Sequence, residues 1–483
     1  MNYHELFTEF TKEFNVQKNH LLRGIGIEAE IPVVTESGEG IGLPVVQNMF
    51  FYLEERGFQL QRDDFSDYII SATRTNEESA KSFDFHIDTV TTDAGYGIIE
   101  IAFAPQKDLH LIQSSFSEIM TLLVGYFDRQ NCRMLGYGIQ PLTAPSQKLL
   151  MPKERYYFYK NFSYNNVVPK IDGVDAHLLT ITASNQCHID VSSEEAIGAT
   201  NVLNALSGLQ IAFHANSPIW RQKVDETYKA NREIFWEYCY PDRLNQMGIP
   251  PKFESIEEYV QYLLQFKPML VKRNKGLLQI LNKETFKDFM EDKTPTIGKT
   301  LGGDEVSVHP QTEDIHYLNT FCYFNARLVP RYGTIESRMC CQQPPNETLA
   351  PTALTLGILE NLEEAQKLVE LFPLETWRDI RRSAVRYTFD SMVNNESIVP
   401  ILKQLLEIAV EGLKKRNLGE ELFLEPLYER LKRRKSPADD AIAIFEKDGI
   451  GGLLEKYSFR SEDFSVTDNH LFEADTQTQT LAI

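Results

Sequence analysis

Apolar positions along this chain change period several times, and each change predicts an element. Leu6, Phe7, Phe10 and Phe14 recur near helical spacing, so residues 1–20 read as an amphipathic helix. From residue 23 the period drops to two: Ile27, Ala29 and Ile31 alternate with Glu28 and Glu30 until Pro32 ends the run, as in a strand. A polar, glycine-containing loop at 36–42 follows, then a helix over 44–56 with Pro44 in its first turn and Gly57 just past its end. Residues 58–105 are strand-like. Alternation at 83–88, a polar turn at 92–97 and the apolar run 98–103 predict a hairpin. Residues 109–130 read as a helix, 136–141 and 178–191 as strands, and 192–216 as a helix opening with Ser-Ser-Glu-Glu. Between those strands the run Tyr156-Tyr157-Phe158-Tyr159 predicts core packing or the wall of an adenine site.

Paired prolines at 248–251 mark a loop, and strand character returns at 269–271 and 321–338. Beyond Thr348 the pattern is helical, over 349–371, 374–393, 398–416 and 422–434. Strands interleaved with helices, joined by hairpin turns, predict an α+β fold around an antiparallel sheet. The corresponding organisation is a sheet domain at 1–348, a helical region at 349–475 packed on it, and a frayed polar tail at 476–483. No internal repeat is visible.

Composition narrows the function classes. The formal net charge of -20 over 483 residues argues against a nucleic-acid partner, and the basic run 430–435 lies in an acidic neighbourhood as a solvated face. No apolar run approaches the ~18 residues of a membrane span. The N-terminus lacks a signal-peptide core, so a cytoplasmic location is expected. The six cysteines show no C-x-x-C spacing, which argues against a zinc site or a disulfide framework. The adjacent Cys340 and Cys341 read as small packing residues.

The candidate chemistry is carboxylate. Glu28 and Glu30 share a strand face about 7 Å apart, at ~3.4 Å per residue, and such a pair repels unless cations bridge it. Hard oxygen ligands at that spacing suit Mg2+ or Mn2+ completed by ATP phosphates; the plain alternative is an edge strand with acids in water. Asp93 and Glu100 bracket the hairpin's return, and Glu100 sits among Ile98, Ile99, Ile101, Ala102 and Phe103, where a lone charge is costly. Gln186 and His188 alternate with Cys187 and Ile189, offering an amide and an imidazole to a metal or phosphate site, or a satisfied core histidine. Glu336 and Arg338 share a face, with Arg327 and Arg331 adding positive charge, as phosphate neutralised from two sides would require. No P-loop, G-x-G-x-x-G or kinase signature is present.

In order along the chain, several motifs resemble those of the glutamate–cysteine ligase family, most of all its plant and proteobacterial type. They are Gly26-Ile27-Glu28-Ala29-Glu30, Gly136-Tyr137-Gly138-Ile139-Gln140-Pro141 and Met151-Pro152-Lys153-Glu154-Arg155-Tyr156. Residues 182–193, Ala215-Asn216-Ser217-Pro218, Arg232 with Trp236, the Arg327 to Arg338 stretch and the helical tail continue the likeness over nearly the whole chain. The resemblance implies a glutamine-synthetase-like fold whose curved antiparallel sheet forms an active-site funnel. It implies that Glu28, Glu30, Asp93, Glu100, Gln186 and Glu336 hold two or three Mg2+ around ATP, with Mn2+ as a substitute. Arg338 and Glu336 would serve catalysis, Arg327, Arg331 and Arg338 would contact ATP, and Arg232, Tyr228 and His188 the other substrates.

The activity implied is ATP-dependent joining of the glutamate γ-carboxylate to the cysteine amine through a γ-glutamyl phosphate, on the way to glutathione. The partners are then small molecules, with no nucleic acid or membrane, and the chain a monomer or homodimer. This sequence departs from the family pattern at His188, where the family has Asn, and at Met339-Cys340-Cys341-Gln342-Gln343 after Arg338. The departures leave a different amine acceptor as the alternative. A non-catalytic nucleotide- or glutamate-binding homologue is more remote, because every metal-type carboxylate is kept.

Overall fold

The computed structural model describes residues 2–16, 22–274 and 276–464; the predicted tail at 476–483 and part of the first predicted helix lie outside them. The period-two segments assemble one nine-stranded sheet: β1 (Ile25–Thr35), β2 (Gln59–Arg62), β3 (Ile69–Thr75), β4 (Ile87–Thr92), β5 (Ile98–Ala102), β6 (Cys132–Met134), β7 (Asn185–Asp190), β8 (Ala326–Val329) and β9 (Thr334–Ser337). Its order is β8-β9-β7-β1-β5-β4-β3-β2, with β6 paired to the end of β1. Every pairing is antiparallel, and the path does not close. The α+β expectation therefore holds.

Alternation gives the sheet two unlike faces. Ile27, Ala29 and Ile31 of β1, Ile99 and Ile101 of β5, Ile189 of β7 and Ile335 of β9 are buried on one side. Helices cover that side. Leu109–Arg129 packs on β1 and β6, Ala196–Ala205 on β8 and β9, and Ala350–Glu360 on β7. Ala350–Glu360 also crosses Val399–Arg416 so closely that a Cβ on Gly412 would lie 1.9 Å from the Gly357 carbonyl oxygen. Only glycine permits that approach. The opposite face collects the polar side chains.

Several boundaries differ from expectation. The first strand of the hairpin is Ile87–Thr92 rather than 83–88, because Phe83 and Phe85 leave the ladder to line a cavity. Residues 136–141 form a single bridge, Ile139 to Thr182, and there Gly138 lets the chain pass against Asn216 and Cys341. In the predicted strand 178–191 only Asn185–Asp190 forms a ladder, Thr182 and Ser184 making isolated bridges, and Asp175–Thr180 is a 3-10 turn. The helix expected at 192–216 is two, Ala196–Ala205 and Ser207–His214, bent by 53°. The strand expected at 269–271 is Leu270–Arg273, and it belongs to a second, four-stranded antiparallel sheet whose other strands, Gly276–Ile280, Thr296–Lys299 and Glu305–Val308, are unforeseen. A further helix, Pro437–Tyr457, breaks at Gly449.

The tyrosine run is largely core: Tyr156, Phe158 and Tyr159 are buried. Arg430 is likewise buried, donating to Gln343 Oε1 at 2.9 Å and Phe213 O at 3.1 Å, so it does not belong to a solvated basic face. All six cysteines are free and buried. Among the described residues no single helix is long and apolar enough to cross a membrane.

Candidate active site

Strand register decides which acids meet. β1 lies between β5 and β7, so Glu30 faces Glu100 on one side and Glu28 faces Gln186 on the other. β9 then sets Glu336 opposite His188, and β8 sets Arg327 opposite Glu336. Directly paired residues share a face, and two clusters result.

The first cluster is Glu30, Asp93 and Glu100, one oxygen from each lying within 4.8 Å of the others. Glu30 is held from below: Ser184 N donates to Oε2 at 2.6 Å and Gln186 Nε2 to Oε1 at 2.8 Å. Asp93 sits in the β4–β5 turn, where burial and then the Glu30 charge push its carboxyl up to about 7, against the Ala94 backbone amide and Lys153. Burial, then Glu28 and Asp93, raise Glu100 well above the usual carboxylate range. Gln186 Oε1 is buried with no hydrogen-bond partner among the described residues.

The second cluster is Glu28, His188 and Glu336, with ligand atoms again within 4.8 Å. His188 Nε2 lies 3.1 Å from Glu28 Oε1, and Nδ1 3.3 Å from Thr334 Oγ1. Burial disfavours the imidazolium, but the Glu28 carboxylate outweighs it, so His188 titrates above its usual value. Glu336, 1% exposed, accepts from Arg327 Nε at 2.6 Å and from Arg338 Nη1. Burial raises its pKa; the two guanidinium groups reverse that and hold it well below the usual range.

The donors fit hard divalent cations. Three acids, one buried and two half-buried, crowd within reach of one point, an amide oxygen beside them is unsatisfied, and desolvation followed by mutual repulsion pushes two of the acids above the usual carboxylate range. The carboxylates of the second cluster suit Mg2+ or Mn2+, and its imidazole favours the transition metal of the two. A cavity of about 630 Å³ opens beside Glu28 and His188, walled by Gly24, Gly26, Phe85, Arg331 and Tyr332. Phe85 and Tyr332 meet there with ring centroids 5.6 Å apart.

Not every candidate reaches this face in the expected way. Arg232 Nη1 is bound to Glu233 Oε1 at 2.6 Å and the Arg338 carbonyl at 2.8 Å, so that nitrogen is committed inside the protein. Its charge nevertheless lowers the Asp93 carboxyl. Tyr228 turns away: its hydroxyl accepts from Arg386 Nη2 at 3.3 Å, and that guanidinium covers its ring. Arg327 Nη1 is spent on the backbone, donating to Asn319 O and Cys322 O at 2.9 Å. Arg331 is exposed at the cavity mouth. His188, expected beside substrate, lines the cavity and also completes the second carboxylate cluster.

Lys153 was passed over, although it stands in the Met-Pro-Lys motif. Its Nζ donates to Thr91 Oγ1 at 2.9 Å and Thr92 O at 2.5 Å, next to Glu100. Burial lowers its pKa, opposed by Glu100 and Asp93. Only the pairing of β4 with β5 brings that loop lysine to the acids.

A family model described as glutamate-cysteine ligase family 2 matches residues 25–456. The chain is 25% identical over 357 residues to a chloroplastic glutamate–cysteine ligase of Medicago truncatula, covering 72% of this chain and 66% of that one. It is 24% identical over 358 residues to the chloroplastic enzyme of Arabidopsis thaliana, covering 72% and 64%. The matched part thus spans just under two thirds of these relatives' length. These relatives are chloroplastic, which overturns the expectation of a cytoplasmic location. Among solved structures, glutamate–cysteine ligase of Francisella tularensis in complex with AMP aligns with a TM-score of 0.52 at 11% identity, covering 94% of this chain and 91% of that one. That likeness establishes a shared fold.

Proposed function

The chain belongs to glutamate-cysteine ligase family 2, and on that premise we propose that it joins the γ-carboxylate of glutamate to the amine of cysteine, with ATP as co-substrate. The observation that carries this reading is the pair of three-ligand clusters side by side on one sheet face, next to a cavity large enough for a nucleotide. A carboxylate has no leaving group for amide formation at neutral pH. Transfer of the ATP γ-phosphoryl group to the carboxylate oxygen supplies one, and the amine then displaces phosphate from the acyl carbon.

Glu30, Asp93, Glu100 and Gln186 Oε1 would hold one divalent cation, and Glu28, His188 and Glu336 a second. Bound there, such cations would supply neutralisation of phosphate charge. The protein's own part is positional and electrostatic. Arg338, anchored on Glu336, aims a permanent positive charge at the face where charge builds on the transferring phosphoryl oxygens. Arg327 fixes Glu336 from the other side. Arg331, Phe85 and Tyr332 would receive the nucleotide at the mouth.

A second reading keeps the chemistry with another amine. It is supported by Cys340 and Cys341, buried where the family pattern has Ala and Asp after the Glu-x-Arg strand. Phosphate release from Mg-ATP and glutamate with a panel of amines tests both. Release that depends on cysteine is expected, and release driven by another amine moves the conclusion to the second reading. No release with any amine refutes both.

A further inference from the structure

We infer that Lys153 is a further catalytic residue: its ammonium donates to the oxygen of the acyl-donor carboxylate that does not attack phosphorus. The inference rests on the ligase reading above.

The placement of Lys153 is built by backbone. Its loop is stitched to the turn carrying Asp93, with Tyr96 N donating to Leu149 O at 2.9 Å and Met151 N to Ala94 O at 2.8 Å. Its side chain then crosses to β4, where Nζ donates to Thr91 Oγ1 at 2.9 Å and Thr92 O at 2.5 Å. Thr91 is the direct partner of Glu100, so the nitrogen lies at the edge of the Glu30, Asp93 and Glu100 cluster. An ammonium carries three protons, and these two bonds use two of them. The half-buried ammonium, beside Glu100, Asp93 and the Tyr156 ring, keeps its third proton for an anion that enters next to the acids.

The geometry also says which anion. The nucleotide-sized cavity opens at the Gly24–Glu28 end of β1, lined there by Ala102 and Phe103 on the β5 side and by His188 and Asp190 on the β7 side. Lys153 lies farther along the strands, where Thr91 pairs with Glu100 and Glu100 with Glu30. Phosphates entering through the cavity meet Glu28 and His188 of the second cluster first, so the far end is left for the acyl donor. There one carboxylate oxygen attacks the γ-phosphorus and ADP departs with the broken P–O pair. The other oxygen becomes the acyl carbonyl. When the amine nitrogen attacks, the carbonyl π electrons move onto that oxygen, and collapse of the adduct expels phosphate, which leaves with the amine proton. A donor already on that oxygen stabilises the oxyanion without reorganising.

Lys153→Met and Lys153→Arg, checked for native melting, test this. Removing one oxyanion donor is expected to lower kcat about 10²–10³-fold, with the KM for ATP changed less than about threefold and the arginine variant recovering at least about tenfold of the loss. Mn2+ binding to the nucleotide-free protein, read by the EPR signal of free Mn2+, is expected to tighten in Lys153→Met because a repelling charge beside the acids is gone. A kcat within about threefold of wild type, or a loss confined to the KM for ATP, overturns the inference. Wild-type protein that consumes no ATP with glutamate and any amine refutes the ligase reading. In that case unchanged Mn2+ affinity in Lys153→Met removes Lys153 from the site, and tighter binding keeps it there.

Discussion

Glu336→Gln separates the site's chemistry from its architecture. Glu336 is 1% exposed and is the anion between Arg327 and Arg338. Its replacement leaves two guanidinium groups side by side without their counter-charge. Breaking a buried ion pair by removing one partner costs about 3–5 kcal/mol, and the retained amide oxygen, still an acceptor, puts the cost near the lower end. Unfolding entropy of about 2.1 cal/mol/K per residue, over 483 residues, gives roughly 1 kcal/mol/K. The melting temperature should therefore fall by only about 3 °C, and the variant remains folded for assay. Function should suffer far more. The second cluster loses a carboxylate, and Arg338 loses the anchor that aims it; removal of one preorganised charge contact costs about 10²–10³ in kcat. Calorimetry, Mn2+ binding by EPR and ADP release together read the three effects. A variant retaining a full Mn2+ complement, or more than about a tenth of wild-type kcat, refutes the assignment of Glu336 to the site. In the native protein the depressed Glu336 pKa contributes stability that is complete above its ordinary value of 4.5 and fades as the pH falls toward its folded value.

Further outcomes follow from the same geometry. Because Asp93 titrates near 7, the cation-free protein should lose stability as pH rises from about 4 to about 7, while Mn2+ affinity climbs over the upper part of that range; a flat affinity between pH 5.5 and 8 contradicts the cluster. Arg232→Ala strands Glu233, which keeps only Arg381 and Asn325 as partners, so a loss of about 3 kcal/mol in urea unfolding is expected. It also releases the Arg338 carbonyl, so kcat should fall as well, and a variant changed only in the KM for glutamate argues instead for direct substrate contact. Gly412→Ala drives a methyl group into the Gly357 backbone and should destabilise by about 1–3 kcal/mol, read by denaturation, with kcat per folded molecule unchanged.

The sequence alone determined which face each residue takes. Alternation at Ile27, Ala29 and Ile31 commits Glu28 and Glu30 to one side of a strand, whatever the strand pairs with, because the two-residue period is a property of the extended backbone. The same holds for Glu100 and Glu336, and it made the carboxylate set visible without a fold. Helical periodicity likewise revealed Leu109–Arg129 and Val399–Arg416 almost to the residue. Tertiary structure alone decided the company those side chains keep. Register set Glu30 against Glu100 across 70 residues of chain and His188 against Glu336 across 148, and no local pattern encodes it. Charges then took partners by proximity: Arg232 turned to Glu233, Tyr228 to Arg386, and Lys153 arrived from an irregular loop. Local backbone geometry orients a side chain, but electrostatic partnership depends on distances that only the folded chain creates.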